Sequence, residues 1–341
     1  MCCFPPHRSP VFDLEARTAA FRAVAARQPG CTPYDNHRPL HVRKHSAGQT
    51  LAALLAQVRP YSVSPALMMD HLERGWLTVD GKRPRLEQVL VAGNIVNFVV
   101  PDTVEPAIGV GLTVLFEDDD VLVVDKPAPM AVHPSGRFNK NALVSLGALA
   151  WPDVSLKPVH RLDADTTGVL VLAKHRAAAH ALIGQFKERR VQKRYLARVM
   201  GLPSEQQFTV EASISSAPAA AGAREMSASG QVAETTVELL GALGDGTSLV
   251  AVYPATGRTH QIRLHLQHVG LPIVGDTVYG PTSDTAAGFA ASEAGLCLHA
   301  QAVAFLHPQS STLVTVESGL PPWFGEAAMG VVRRLRAHLV R

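Results

Sequence analysis

The chain has 341 residues, 47% of them hydrophobic and 18% charged, and a formal net charge of +3. These values fit a globular protein with a sizeable core and exclude a supercharged surface, so any nucleic acid would have to meet local basic patches. No apolar run approaches the ~20 residues of a membrane helix, the N-terminus lacks a secretory core, and four cysteines do not make a disulfide scaffold.

We therefore expect a cytoplasmic, monomeric protein with reduced thiols and no membrane segment. A metal site could in principle use Cys2, Cys3, His7 and Cys31. Nothing around these residues resembles a paired zinc knuckle, so the sequence favours the absence of a metal.

Residues 1–40 are interpreted as an N-terminal extension of uncertain order, with one amphipathic helix possible over 12–26. Residues 41–105 are predicted to form a small domain. It has helices that begin after Thr50 and Ser64, a strand, and an Asp-Gly turn at 80–81 with a basic continuation. Lys82, Arg83 and Arg85 cluster at this turn, which favours RNA binding over a unit that only packs on its neighbour. A proline- and glycine-rich linker is predicted over 101–111.

The remaining domain, 106–341, opens with strands at 113–116 and 121–124 around an acidic turn, followed by a loop with two prolines and a helix near 142–150. The sequence then reads HRLDADTTGVLVLAK from His160 to Lys174. Asp163 lies beside His160 and Arg161 at the mouth of an apolar strand, an arrangement suited to chemistry on an anionic polymer. An Asp that only bonds the backbone of its own turn is the alternative, and we assign that role to Asp165.

A helix is predicted over 176–190, followed by a strand in which Tyr195 stands among Lys193, Arg194 and Arg198. Such a tyrosine is either a half-buried strand residue or a platform on which a displaced base stacks.

A strand pair is then predicted at 232–240 and 248–254, with a peripheral loop over 215–222 before it. Next comes a turn at Thr256, Gly257 and Arg258, then a helix that Thr259 can cap and Gly270 ends. Arg263 lies on one face of it. His260, His265 and His268 lack the HExxH arrangement, so a metal site is not favoured there. A strand over 296–308 and a basic helix over 333–341 close the chain.

Three segments then stand in a characteristic order: DKPAPMAVHP, HRLDADTTG with KRYLARVMG, and TGRTHQIRLHL with GLPIVGDTVYG. Together they resemble the RluA-type pseudouridine synthases over roughly residues 112–308. The leading helix-hairpin segment resembles an α-L RNA-binding domain, which many members of that family carry. The resemblance implies an α+β fold, with a mixed, largely antiparallel sheet flanked by helices and a small N-terminal RNA-binding domain.

The resemblance implies catalytic roles for three residues. Asp163 matches the catalytic aspartate, Tyr195 the tyrosine that packs on the target uracil, and Arg263 the ion-pair partner of the aspartate. Arg161 matches an arginine that helps to displace the nucleotide in some members. Further RNA contacts are expected from the basic residues near these motifs, namely His160, Lys193 and Arg258.

Isomerising uridine to pseudouridine oxidises nothing and adds no water, so we expect neither a cofactor nor a metal. The expected partner is structured RNA, ribosomal or transfer. The alternative is a non-catalytic RNA-binding or RNA-folding factor on the same scaffold. Asp163, Tyr195 and Arg263 argue against it together, since binding alone does not require the acid.

Overall fold

The computed structural model describes residues 12–57, 64–217, 219, 223–280 and 295–325. These residues contain six helices, α1 (Leu14–Ala25), α2 (Leu51–Gln57), α3 (Pro65–Glu73), α4 (Leu143–Ala150), α5 (Arg176–Lys187) and α6 (Gln261–His268). They contain thirteen strands, β1 (Tyr34–His41), β2 (Leu77–Val79), β3 (Ile95–Thr103), β4 (Thr113–Glu117), β5 (Val121–Lys126), β6 (Lys157–Pro158), β7 (Thr167–Ala173), β8 (Gln192–Met200), β9 (Gln207–Glu211), β10 (Glu234–Ala242), β11 (Thr247–Pro254), β12 (Leu298–Leu306) and β13 (Leu313–Glu317). Among the described residues, no helix is both long and apolar enough to cross a bilayer.

The chain divides into two compact units whose bounds differ from the predicted domains. The smaller unit comprises Gln28–Ala107 and Ser135–Asn141, and the larger comprises the described residues up to Arg27, Ile108–Pro134 and those from Ala142 onward. The predicted extension, 1–40, is therefore split between the two units.

The smaller unit is an antiparallel sheet of order β1-β3-β2 with α2 and α3. Both helices begin as predicted, since the hydroxyls of Thr50 and Ser64 each accept a backbone N–H three residues on, at 3.3 Å. The core joins apolar residues of the helices to those of the sheet, including Leu51, Leu55 and Phe98.

The strand β2 pairs with β3, and an isolated bridge between Val79 and Lys82 joins it to the segment that carries Lys82, Arg83 and Arg85. One prediction for this unit was wrong. The predicted linker begins inside a strand, since β3 runs to Thr103.

Glu105 ties the second segment of the smaller unit to the first. Its side chain accepts the backbone N–H groups of Asn139, Lys140 and Asn141 at 2.7–2.9 Å, and Tyr34 donates its hydroxyl to the same carboxylate. Glu105 is 3% exposed, so a buried carboxylate is satisfied only when both segments are present.

The larger unit is built on a mixed sheet of order β4-β5-β7-β12-β8-β11-β10-β9, in which β6 also pairs with β7 and β13 with β12. Every pairing is antiparallel except that of β7 with β12, which confirms the predicted mixed, largely antiparallel sheet. The strands β5 and β7 are apolar and buried on both faces, as central strands of a covered sheet are.

Helices cover this sheet with apolar faces. Ala178 and Leu182 of α5 pack against Val121 and Val171, while Ile262 and Leu266 of α6 belong to a second core. The predicted helix over 176–190 ends earlier, at Lys187, because Arg189 takes a left-handed φ of 59°. The predicted closing helix lies outside the described residues.

The helix α1 belongs to the larger unit and is not an isolated extension. Phe21 is fully buried and stacks against Trp151 with ring centroids 5.2 Å apart. Arg17 pairs with Glu117 at 3.1 Å and Asp153 at 2.9 Å. The sequence pattern alone did not show these partners, which lie about a hundred residues away.

Candidate active site

Asp163 lies in the turn that leads into β7. The backbone N–H of Thr166 donates to the Asp163 carbonyl at 3.2 Å, so the carboxylate is left to face the neighbouring elements. Its Oδ2 lies 3.6 Å from Nη1 of Arg263 and 3.9 Å from Nε2 of His260. The side chain is 17% exposed and therefore reachable by a ligand. Asp165 is exposed, as expected of a carboxylate outside the site.

Arg263 is held mainly by Asp276, a residue that the sequence reasoning missed. Nε and Nη2 of Arg263 donate to the two Asp276 carboxylate oxygens, both at 2.7 Å, and both side chains are buried. Burial acts to lower the pKa of Arg263, but Asp276 and Asp163 outweigh it and raise the pKa. Asp276 also accepts the backbone N–H groups of Val278 and Tyr279, so one turn fixes the cation.

Arg263 on α6 and His260, the residue just before α6, both face Asp163. His260 precedes the helix with a left-handed φ of 56° and no side-chain cap, which contradicts the prediction that Thr259 caps it. The His260 Nδ1 lies 2.9 Å from the hydroxyl of Tyr279. Burial lowers the pKa of His260, although the charge of Asp163 acts to raise it.

Tyr195 lies on β8, half-buried, and lines the same cleft as Asp163. Burial raises the pKa of its phenol, and the charge of Asp163 adds to this, so the group stays protonated. Lys193 lies two residues earlier and donates to the carbonyl of Thr256 at 3.0 Å. Burial lowers the pKa of Lys193 to about 8.

Lys126 holds the turn that contains Asp163 through a hydrogen bond, and the sequence patterns did not identify this role. It is fully buried, and its Nζ donates to the carbonyls of Pro127, Met130 and Ala164 at 2.9, 2.9 and 3.2 Å. Burial lowers its pKa to about 7, against the opposing charge of Asp163. A lysine ending the apolar strand β5 was the available signal.

His160 is not the basic RNA contact that was predicted. Its Nε2 accepts the backbone N–H of Val171 at 2.9 Å, and its ring stacks on Phe186 with centroids 4.5 Å apart. Burial lowers its pKa to about 3, so the ring is neutral. Arg161 is exposed and Arg258 is half-buried, and both line the cleft as the prediction requires.

The turn after Asp163 is fastened to β12. The Thr167 hydroxyl donates to Nδ1 of His299 at 2.7 Å, and the opposite ring nitrogen donates to the carbonyl of Gly319 at 3.1 Å. A Cβ on Gly168, which has a φ of 110°, would lie 2.1 Å from the Ala300 carbonyl oxygen. Only glycine fits this approach of two backbones.

His265 and His307 of the larger unit each bond a protein group. His265 bonds the Ala212 carbonyl at 3.1 Å, and His268 is exposed. Asp118, Asp120 and His307 do cluster, but Nδ1 of His307 accepts two backbone N–H groups. Its Nε2 therefore carries the proton that Asp118 accepts at 2.9 Å, and offers no lone pair to an ion. The predicted cysteine and histidine candidates Cys2, Cys3 and His7 lie outside the described residues.

The cleft beside Asp163 has a cavity volume of about 100 Å³. Besides Asp163, Tyr195 and Arg263, it is lined by polar and basic residues of three segments, namely Arg161, Thr166, Lys193, Thr256, Arg258, Thr259, His260 and Gln261. Lys82, Arg83 and Arg85 are exposed on the smaller unit. One carboxylate is thus set between a buried cation and a neutral aromatic phenol, in an opening with basic side chains.

Comparison with known proteins gives a consistent picture. Residues 120–268 match the family model described as RNA pseudouridylate synthase. An RNA pseudouridine synthase of Chloroflexus aurantiacus is 36% identical over 271 residues, covering 76% of this chain and 83% of that protein. Ribosomal large subunit pseudouridine synthase D of Nitrosomonas europaea is 34% identical over 303 residues, covering 86% and 87%. The human RNA Pseudouridylate Synthase Domain Containing 1 structure superposes with a TM-score of 0.55 at 26% identity, over 67% of this chain and 95% of that one.

Proposed function

The chain belongs to the RNA pseudouridine synthase family, and on that premise we propose that it isomerises uridine in ribosomal RNA with Asp163 as the catalytic carboxylate. The substrate class is taken from two related proteins, one from Nitrosomonas europaea and one from Vibrio cholerae. Both are named as ribosomal large subunit pseudouridine synthases. The observation that carries the catalytic assignment is the position of the Asp163 carboxylate beside Arg263 and His260 in the cleft lined by Tyr195.

The reaction breaks the bond from ribose to the base nitrogen, turns the base and reattaches it through carbon. A carboxylate is needed as a nucleophile or base toward the sugar or the ring, and it acts only when ionised. Arg263 places its guanidinium 3.6 Å from the Asp163 carboxylate, so a fixed positive charge faces the reacting group. Because Asp276 holds Arg263 with two short bonds, the guanidinium keeps its place while Asp163 reacts.

The target uridine has to leave its stack before it can reach Asp163. Displacing a base costs a few kcal/mol. Stacking against Tyr195 can return ~1–3 kcal/mol of this. The exposed Arg161 beside the cleft is suited to the phosphate or to the space that the base leaves.

We assign further RNA recognition to the smaller unit, with Lys82, Arg83 and Arg85 as phosphate contacts. Their exposure around one turn supports this assignment. We also propose that the enzyme acts in the cytoplasm, as a monomer and without a cofactor.

Pseudouridine mapping of cellular RNA with and without the protein tests the function and identifies the RNA. We expect loss of modification in ribosomal RNA, restored by the intact protein and not by Asp163→Asn. Asp165→Asn is the matched control, because it removes an exposed carboxylate two residues away. Full restoration by Asp163→Asn would refute the catalytic assignment. RNA binding without any modified site would favour the RNA-binding factor, and loss in transfer RNA alone would overturn the substrate.

A further inference from the structure

A second groove of the larger unit adjoins the catalytic cleft. It has a cavity volume of about 340 Å³ and is continuous with the cleft, because both are lined by Arg161, Lys193, Tyr195, Thr256, Gly257 and Arg258. Its other wall is the C-terminal end of α5 with the residues that follow, which contribute Ile183, Phe186, Lys187 and Arg189. None of these four residues takes part in the chemistry assigned to Asp163. We call this space the α5 groove.

One part of the α5 groove lining consists of uncharged rings and aliphatic side chains. His160 stacks on Phe186 with an angle of 19° between the ring planes, and its ring is neutral because burial lowers its pKa to about 3. Ile183 is 45% exposed and lines the groove. Flat neutral rings beside an exposed aliphatic side chain are the kind of surface on which a nucleobase packs.

Cations border this lining without carboxylates to neutralise them. Within the described part of the chain, no Asp or Glu oxygen lies within 4.0 Å of a side-chain nitrogen of Arg161, Lys187 or Arg189. The neighbouring Arg190 differs, since it pairs with Glu188 at 2.7 Å and does not line the groove. The cations that face the α5 groove are thus the ones left available to an anion.

We propose that the α5 groove binds the nucleotides that adjoin the target uridine on the same RNA strand, an inference that rests on the proposed function. Phosphates of these nucleotides lie against Lys187 and Arg189, and one base packs on Ile183 and Phe186. Continuity with the cleft supports a single strand, because a nucleotide displaced toward Asp163 carries its neighbours with it. The groove then fixes the strand on one side of the base that turns.

Binding of short RNA tests this assignment without using the reaction. Fluorescently labelled oligouridylates of three and nine nucleotides are titrated by anisotropy into protein carrying Asp163→Asn, over a series of salt concentrations. Lys187→Gln/Arg189→Gln is compared with Arg27→Gln/Arg176→Gln, which removes the same charge from two exposed residues outside the groove. We expect about tenfold weaker binding of the nonamer for the groove variant and a salt slope smaller by ~1.4, for two lost phosphate contacts.

Equal losses for the groove and control variants would overturn the proposal, as would failure of the parent protein to bind the nonamer. A second measurement separates this outcome from failure of the proposed function. With Asp163 intact, kcat/KM is measured on the RNA identified by mapping. Normal turnover with equal affinities refutes the α5 groove alone. Selective weakening by the groove variant, with no pseudouridine formed by the intact protein, refutes the function and leaves the groove.

Discussion

Replacing Asp276 by Asn tests whether the position of Arg263 depends on a residue outside the cleft. The carboxylate accepts two bonds of 2.7 Å from Arg263, and its side chain is fully buried. Asn keeps one acceptor for the N–H groups of Val278 and Tyr279, but it turns an N–H₂ group or a single oxygen toward the guanidinium. Arg263 is then left with Asp163 as its only carboxylate among the described residues, at 3.6 Å.

Removing one partner of a buried ion pair costs ~3–5 kcal/mol, because the remaining charge stays buried without compensation. We expect a loss of that size in the free energy of unfolding, measured in urea at pH 7. We also expect kcat to fall by about 10²-fold, equivalent to roughly 3 kcal/mol, because Arg263 shifts onto Asp163 and occupies the reacting carboxylate. The assay is pseudouridine formation on the mapped RNA, at a temperature where the variant remains folded.

Asp153→Asn is the matched control, since it removes a carboxylate that pairs with Arg17 but is 62% exposed. An exposed pair of this kind contributes ~0–1 kcal/mol. If Asp276→Asn destabilised the protein no more than Asp153→Asn and kept kcat within about threefold, Asp276 would not be what holds Arg263 in place.

Two further predictions concern other parts of the molecule. Burial lowers the pKa of His299 from 6.5 to about 4, so the folded chain binds fewer protons than the unfolded chain between these values. The free energy of unfolding therefore falls as pH drops through this window, by on the order of 3 kcal/mol. Urea titrations of His299→Gln should show a shallower dependence of this free energy on pH. The exposed His180→Gln is the control and should not show this change. Replacing Lys82, Arg83 and Arg85 by Gln should weaken binding of the mapped RNA and reduce its salt slope by about 3; an unchanged slope would remove the smaller unit from RNA recognition.

The residues that the sequence proposed for the site lie within compact motifs. Asp163, Tyr195 and Arg263 were identified from three segments, and the structure brings Asp163 and Arg263 together at 3.6 Å. The larger sheet was also predictable, because apolar runs such as β7 indicate buried strands. These features depend on residues close together in the chain.

The supporting residues could not be predicted, since their roles depend on contacts that spacing does not reveal. Lys126 reaches the Ala164 carbonyl across 38 positions, and Asp276 meets Arg263 across 13. His160 was interpreted as basic from its position beside Arg161, whereas burial and the charge of Lys193 lower its pKa to about 3. The strand β1 was missed because it lacks an apolar alternation and has one buried residue, Asn36.

The carboxylate of Glu105 has a consequence for the order in which the protein is made. Its three backbone donors lie at 139–141, so a ribosome must extend the chain by about 35 positions before the smaller unit can close. A fragment that stops at residue 107 would bury Glu105 without these donors, and one that begins at 106 would lose α1 as well. The smaller unit is therefore completed only after residues 108–134 of the larger unit have been made, and a cut near residue 106 leaves neither unit intact.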